Sequence, residues 1–256
     1  MNLAILVLAA GKGTRMESDL PKVLHQLRGQ SLLAHVLTAS RALNPNRLIA
    51  IVGHKSELVE AEIAPTFPEV EFVLQSETKG TGHAVMQVEA ALKDFDGDII
   101  VTCGDAPLLT TETLFDLVEK RRQNNAAASM LVGRLDVPGS YGRVVMEEGG
   151  AVKEIVEAKD ADAETLALPT VNAGTYCFQS ANLWAQLAQI GNNNKSGEYY
   201  LTDVVGLLTQ AGQKVVGILI EEREMTGINT KAELAALESQ LEQEAMLEGQ
   251  SEAQPS

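Results

Sequence analysis

Three stretches of the chain carry residue types that suit phosphate and nucleobase chemistry. The first is Leu8-Ala9-Ala10-Gly11-Lys12-Gly13-Thr14-Arg15-Met16. Small residues directly after an apolar strand let a backbone loop approach a ligand closely, and successive backbone N–H groups then form an anion-binding concavity. Arg15 adds a planar fork suited to phosphate oxygens. The run is not a Walker A loop, and Met16 stands where a dinucleotide fingerprint needs its third glycine. On glycine content alone, a tight strand-to-helix turn accounts for it equally well. Pro21-Lys22 follows, with Ser18, Asp19 and Pro21 opposing a continuous helix, so the loop can fold back and aim two cations at one polyphosphate. Alone, Lys22 reads as a solvated surface lysine; beside the glycine-rich loop it reads as a second phosphate cation.

The second stretch is Gln75 to Ala84, Gln-Ser-Glu-Thr-Lys-Gly-Thr-Gly-His-Ala. A side-chain amide at a strand end both donates and accepts, which suits the edge of a nucleobase. Gly80 and Gly82 permit close backbone approach, and Thr81 can cap the helix that follows. His83 has no second histidine or carboxylate at metal-ligand spacing and reads as a helix residue satisfied locally. The third stretch is Gly104-Asp105, after the apolar run Ile99–Thr102. An aspartate at a strand terminus facing a phosphate site suits Mg²⁺, a hard ion that takes oxygen donors. A turn aspartate capping the helix that begins near Thr110 fits Asp105 as well.

These residues need a frame that brings separate strand ends together. Leu3–Leu8, Leu48–Val52, Val70–Leu74 and Ile99–Thr102 are aliphatic or β-branched, as in strands covered on both faces. Leu32–Leu43, Ser56–Ile63, Gly82–Leu92 and Thr111–Arg122 between them have helical spacing. Alternating strand and helix predicts an α/β, Rossmann-like, doubly wound and mostly parallel sheet, whose ligands bind at the carboxyl ends of the strands. Each of the three stretches follows a strand. Beyond about Ala126 the pattern loosens. Ala127–Val132, Arg143–Met146, Val171–Phe178 and Lys214–Ile220 read as strands, Lys159–Leu168 as a surface excursion and Gln189–Gly197 as a loop. Tyr199–Gln210 and Lys231–Met246 read as helices. The organisation expected is one domain over 1–229, a C-terminal helix over 230–248 and a disordered tail over 249–256.

The 256 residues carry a formal charge of -15, which opposes a protein that coats nucleic acid but leaves room for a local basic pocket. Cys103 and Cys177 are far apart and follow no metal spacing, so neither a disulfide framework nor a zinc site is expected. The apolar run Leu3–Ala10 has no basic region before it and is too short to span a bilayer; a soluble, cytoplasmic protein with no membrane partner is expected.

Taken together, Leu8–Met16 with Pro21-Lys22, Gly80-Thr81-Gly82-His83-Ala84 and Gly104-Asp105-Ala106-Pro107-Leu108 resemble the nucleotidyltransferases that act on sugar 1-phosphates. The likeness is strongest to the uridyltransferase domain of the bacterial bifunctional uridyltransferase/acetyltransferases. It continues through Ser140-Tyr141-Gly142-Arg143, Ile155-Val156-Glu157, Val171-Asn172-Ala173-Gly174, Gly197-Glu198-Tyr199-Tyr200-Leu201-Thr202-Asp203 and Gly227-Ile228-Asn229. The resemblance implies a GT-A-like fold and transfer of a uridylyl group from UTP to N-acetylglucosamine 1-phosphate. It implies that Leu8, Ala9, Ala10 and Gly11 wrap the nucleotide, with Gly104 beside them, and that Gln75, Gly80 and Thr81 read uracil. Gly142, Glu157 and Asn172 would hold the sugar, Asp105 and Asn229 a Mg²⁺ ion (Mn²⁺ fits the same ligands), and Arg15 and Lys22 the phosphates. Where many members carry tyrosine before Gly-Asp, this chain has Cys103. The bifunctional members continue into a left-handed β-helix of hexapeptide repeats. No such repeat occurs here, so neither that β-helix nor an acetyltransferase is expected, and a stand-alone enzyme and an excised domain are both consistent. A sibling enzyme with another nucleotide or sugar phosphate, and a silent nucleotide-binding regulator, are the competing readings.

Overall fold

The first strand, β1 (Leu3–Ala9), is apolar throughout because layers cover both its faces. Leu3, Ile5, Val7 and Ala9 turn to one layer, Ala4 and Leu6 to the other. The computed structural model describes residues 2–147 and 150–252. After β1 come a hairpin of β2 (Gln26–Leu27) and β3 (Gln30–Ser31), α1 (Leu32–Arg41), β4 (Arg47–Val52), α2 (Ser56–Ile63), β5 (Glu71–Leu74), α3 (Thr81–Met86), α4 (Glu89–Leu92), β6 (Asp98–Cys103) and α5 (Thr111–Gln123). The second half runs β7 (Ala128–Arg134), β8 (Arg143–Met146), β9 (Val152–Val156), α6 (Ala163–Leu166), β10 (Thr170–Gln179), α7 (Ser180–Leu187), α8 (Asp203–Gln210), β11 (Val215–Leu219), α9 (Glu222–Met225) and α10 (Lys231–Glu252).

The main sheet follows the path β11-β7-β10-β6-β1-β4-β5, with β8 and β9 joined beside β10. Pairing is parallel between β6, β1, β4 and β5 and between β7 and β11, whereas β10 runs against both β6 and β7. Helices α1, α2 and α5 cover one face through Leu33, Val36, Val59, Ile63, Leu114 and Leu117, and α3, α7 and α8 cover the other through Val85, Leu183, Leu187, Val204 and Leu208. The expected doubly wound architecture is therefore present, and the described residues contain no left-handed β-helix. Inverting β10 matters for function. Its first residues, Thr170–Asn172, pair with the last of β7, so its amino end joins the carboxyl ends of β1 and β6 at one rim.

Several expected elements change. Gly82–Leu92 is not one helix: the Gln87 N–H bonds Ala84 O and its side-chain amide takes His83 O, so the ladder tightens and breaks between α3 and α4. Tyr199–Gln210 is helical only from Asp203, because the backbone of Tyr199 is bonded to Lys79 and Gly82 instead. The excursion Lys159–Leu168 contains the short α6, capped by Asp162, whose Oδ1 accepts from Thr165 N at 2.8 Å. Strand β9 and helix α7 were not expected. Helix α10 packs Leu234, Leu237 and Leu241 against Leu27, Leu32, Leu108 and Ile228 and runs to Glu252 rather than ending at 248. Residues 249–252 of the expected disordered tail are thus helical, and 253–256 lie outside the described residues. Cys103 and Cys177 are free thiols. Among the described residues, no helix is long and apolar enough to cross a membrane.

Candidate active site

The glycine-rich loop leaves β1 and makes two short 3₁₀ turns, Thr14–Met16 and Lys22–Leu24. Buried Met16, Val23 and Leu24 anchor the turns and leave Arg15 and Lys22 to the rim. Gly13 lies at φ 59°, and a Cβ there would stand 2.5 Å from Lys22 Cβ, so only glycine lets the loop close down on the lysine. Lys22 Nζ forms an ion pair with Asp105 and donates to Asn229 Oδ1 at 3.1 Å. Arg15 Nη2 donates to the same Asn229 oxygen at 2.8 Å. The four residues expected to carry charge chemistry, from three separate parts of the chain, therefore meet at one point. Ile228 N–H donates to Asp105 O at 2.9 Å and holds the Asn229 segment there.

Asp105 and Asn229 present hard oxygen donors. Among the described residues no group of three or more His, Cys, Asp or Glu side chains is placed to hold a metal ion. A divalent ion at this pair would complete its shell with substrate oxygens and water, as Mg²⁺ commonly does.

Two cavities open on either side of this point. The first, about 270 Å³, is lined by Leu8, Ala9, Ala10, Gly11, Lys22, Gln75, Gly80, Thr81 and Glu198. Gln75 is buried, and its amide nitrogen lies 3.1 Å from Gly80 O and 3.0 Å from His83 Nδ1. His83 is satisfied locally, as expected, and steadies Gln75. Gly80 lies at φ 105°, and a Cβ there would come 2.5 Å from Tyr199 O. Gly104 is not brought to either cavity wall. It is buried beneath them, its N–H donating to Leu8 O at 2.9 Å, and acts by joining β6 to β1.

The second cavity, about 490 Å³, is lined by Arg15, Tyr141, Gly142, Glu157, Asn172, Asn229 and Glu233. Asn172 starts a bulge in β10 that includes Gly174. Its Oδ1 accepts from Gly174 N at 3.0 Å and its amide donates to Tyr176 Oη at 2.6 Å, which aims the side chain. Thr202 Oγ1 donates to Glu157 Oε1 at 3.0 Å. Cys103 and Asp105 line both cavities and mark their junction. Burial pushes the Cys103 thiol up to about 12, with Asp105 adding to the effect, so it stays protonated and is no nucleophile at neutral pH.

Burial raises the Glu157 carboxyl above the ordinary carboxylate range; the Thr202 hydroxyl opposes this, and Asp203, Asp160 and Glu198 add to it. The folded value lies above the unfolded one. Folding therefore favours the protonated form, a contribution present below the ordinary glutamate range and lost as pH rises through the raised value. Glu157→Gln, neutral throughout, is expected to melt a few degrees above the wild type at neutral pH and level with it in acid. Thermal denaturation between about pH 4 and 8 checks this.

Three residues at the site escaped the sequence reading of roles. Tyr141 lay inside a quoted motif without a role. Thr202 lay inside a segment read as helix. Glu233 accepts from Asn229 N at 2.6 Å and from Thr230 N at 3.1 Å; Thr230 and Glu233 form the capping-box signature visible in the sequence.

The rim, the backbone cradle and the paired cavities are those of an α/β nucleotidyltransferase fold. The chain superposes on a structure titled UDP-glucose pyrophosphorylase complexed with UDP-glucose with a TM-score of 0.78 at 17% identity, covering 95% of this chain and 100% of the other. An inositol-1-phosphate CTP transferase from T. maritima gives a TM-score of 0.71 at 15% identity, with 91% of each chain covered. The chain belongs to the MobA-like NTP transferase domain family, whose model matches residues 5–203. It is 42% identical over 255 residues to the bifunctional protein GlmU of Streptococcus gordonii, covering 98% of this chain and 55% of that protein. It is 44% identical over 236 residues to GlmU of Lactobacillus delbrueckii subsp. bulgaricus, covering 92% and 50%. The resemblance read from the motifs is borne out, and the chain spans about half the length of these relatives.

Proposed function

We propose that the protein transfers a uridylyl group from UTP to N-acetylglucosamine 1-phosphate, giving UDP-N-acetylglucosamine and pyrophosphate. The observation that carries this reading is the meeting of Arg15, Lys22, Asp105 and Asn229 at the junction of two cavities. One cavity offers the backbone loop after β1 and the Gln75 amide. The other offers a carboxylate, an amide and a backbone edge suited to sugar hydroxyls. The GlmU relatives support the choice of substrates.

In this reading an oxygen of the sugar phosphate attacks the α-phosphorus of UTP, the bond to the bridging oxygen breaks, and pyrophosphate leaves with the electron pair. The attacking phosphate is already an anion at neutral pH, so no protein base or nucleophile is needed. The protein supplies position and charge. The N–H groups of the loop after β1 hold the phosphates, and Arg15 and Lys22 offset the repulsion between two anions and the charge on the departing pyrophosphate. A magnesium or manganese ion held by Asp105 and Asn229 supplies further charge neutralisation when bound. With its amide nitrogen engaged by Gly80 and His83, Gln75 offers its Oε1 as an acceptor for the uracil imide N–H. A cytosolic setting, with nucleoside triphosphates at hand and thiols kept reduced, suits this reading.

Pyrophosphate release is the test. With N-acetylglucosamine 1-phosphate and Mg²⁺, release is expected with UTP and is expected to vanish when the metal is chelated. A strong preference for CTP or GTP, or nucleotide binding without turnover on any sugar phosphate, would overturn the assignment.

A further inference from the structure

Residues 198–202 tie the two cavities together by bonds made in succession. Glu198 lines the smaller cavity. The Tyr199 N–H donates to Lys79 O at 2.8 Å, and the Tyr199 carbonyl accepts from Gly82 N at 2.8 Å, so the segment clasps the turn that carries Gly80 and Thr81. Leu201 N–H donates to Thr81 Oγ1 at 3.1 Å. Thr202, the next residue and only 4% exposed, donates its hydroxyl to Glu157 Oε1. Both ends of the segment are fixed. Asn194 brackets Glu198 with bonds of 2.6 Å to its carbonyl and 3.2 Å from its N–H, and α8 beyond Thr202 buries Val204, Val205 and Leu208. Adjacent residues of one short, anchored stretch thus bind the Thr81 hydroxyl of the turn, through Leu201 N, and the Glu157 carboxylate, through the Thr202 hydroxyl.

We infer that residues 198–202 form a crosspiece that couples the two sites, with Thr202 the positioning residue that holds Glu157 for the sugar phosphate; the coupling rests on the two-substrate reading above. A nucleotide that fixes Gly80 and Thr81 also fixes Leu201 and, through it, Thr202. Less ordering then remains for the second substrate, and linkage makes the effect reciprocal. Thr202 matters to Glu157 because the other groups around that carboxyl are acidic or phenolic: Asp160, Glu198, Asp203, Tyr176 and Tyr200. Asp160 is itself engaged, accepting from Lys195 N at 2.9 Å and Tyr200 Oη at 3.4 Å. Thr202 is the donor seen on Glu157, and a buried carboxylate that loses its donor is strongly penalised.

Calorimetry on the full chain tests this, with an α,β-methylene analogue of UTP and N-acetylglucosamine 1-phosphate titrated singly and together, in the wild type, Thr202→Val, Thr202→Ser and Thr81→Val. In the wild type each ligand is expected to tighten the other by about fivefold or more. Thr202→Val is expected to weaken the sugar phosphate by about tenfold, as loss of a hydrogen bond to a charged group does, and to reduce the coupling to near unity with nucleotide affinity unchanged. Thr202→Ser is expected to restore both. Thr81→Val cuts the link at its other end and is expected to lower the coupling even if Thr202→Val does not fold. Carbon-13 NMR of the Glu157 carboxyl in the unliganded protein supplies a reading that needs no substrate: its titration is expected to move to higher pH in Thr202→Val and to stay in place in Thr81→Val. Wild-type coupling in both valine variants overturns the crosspiece. An unmoved Glu157 titration in Thr202→Val overturns the positioning role alone. A wild type that binds the nucleotide analogue and no sugar phosphate overturns the acceptor assignment, and the coupling with it, while the NMR result stands apart.

Discussion

Replacing Lys22 by alanine is expected to lower turnover by about a hundred- to a thousand-fold, the usual consequence of removing one preorganised charge contact from a phosphate-transfer site. The fold is expected to survive. Its local anchors are the buried Val23 and Leu24, and Lys22 itself remains 14% exposed beside an Asp105 that is 18% exposed. Both side chains are mostly out of solvent, so losing the pair is expected to cost some stability, but less than at a fully buried pair because each end keeps access to water. The loss should fall on kcat as well as on kcat/KM, because charge on the departing pyrophosphate develops in the transition state and is small in the ground state. Lys22→Arg is expected to recover part of the rate: the charge remains, but a planar fork replaces a point charge at a site shaped by Gly13 around the lysine stem. Pyrophosphate release, with melting curves as the folding control, decides it. Near-normal turnover in Lys22→Ala would remove this residue from the mechanism.

How much of this could be read from the sequence follows from where each residue sits. The loop after β1, the Gly80–Thr81 turn and Asp105 are contiguous motifs placed directly after strands, so the strand-end rule for doubly wound sheets located them. The place of Asn229 beside Arg15, Lys22 and Asp105 depended on resemblance, since spacing carries no information about a contact that spans most of the chain. The sugar side was least legible. Asn172 reaches the rim only because β10 is inverted between β6 and β7 and then bulges, and strand order and bulges are set by tertiary pairing. Residues 199–202 read as helix by local pattern, yet the Lys79–Gly82 turn takes the Tyr199 backbone, and that override produces the link between the cavities. The resemblance placed Gly104 beside the nucleotide; in the fold it is buried one step before Asp105, and an added Cβ there would meet Leu33 and Leu8 O.

Strand β6 carries an aspartate near each end, and the two should answer substitution in opposite ways. Asp98, its first residue, is 2% exposed and forms ion pairs with Arg121 and with Arg122, the latter through Nε at 2.6 Å. Both arginines sit in the last turn of α5, so Asp98 pins that helix to the amino end of β6, opposite the rim. Removing one partner of a buried pair leaves uncompensated charge and costs about 3–5 kcal/mol. Arg121 also donates to Ala126 O at 3.0 Å, which leaves it one bond and favours the lower end of that range. Asp98→Ala is therefore expected to lower the melting temperature by roughly 10 °C while the folded fraction keeps its turnover. Asp105, just beyond the other end of β6, is partly exposed and touches the reacting phosphates in the proposed mechanism. Asp105→Ala is expected to lose turnover by about a hundred-fold or more with its melting temperature held within a few degrees. Differential scanning calorimetry paired with pyrophosphate release separates the two. A melting temperature unchanged in Asp98→Ala would mean that the arginines of α5 exchange the carboxylate for water at no net cost, and that strand pairing alone holds the amino end of β6.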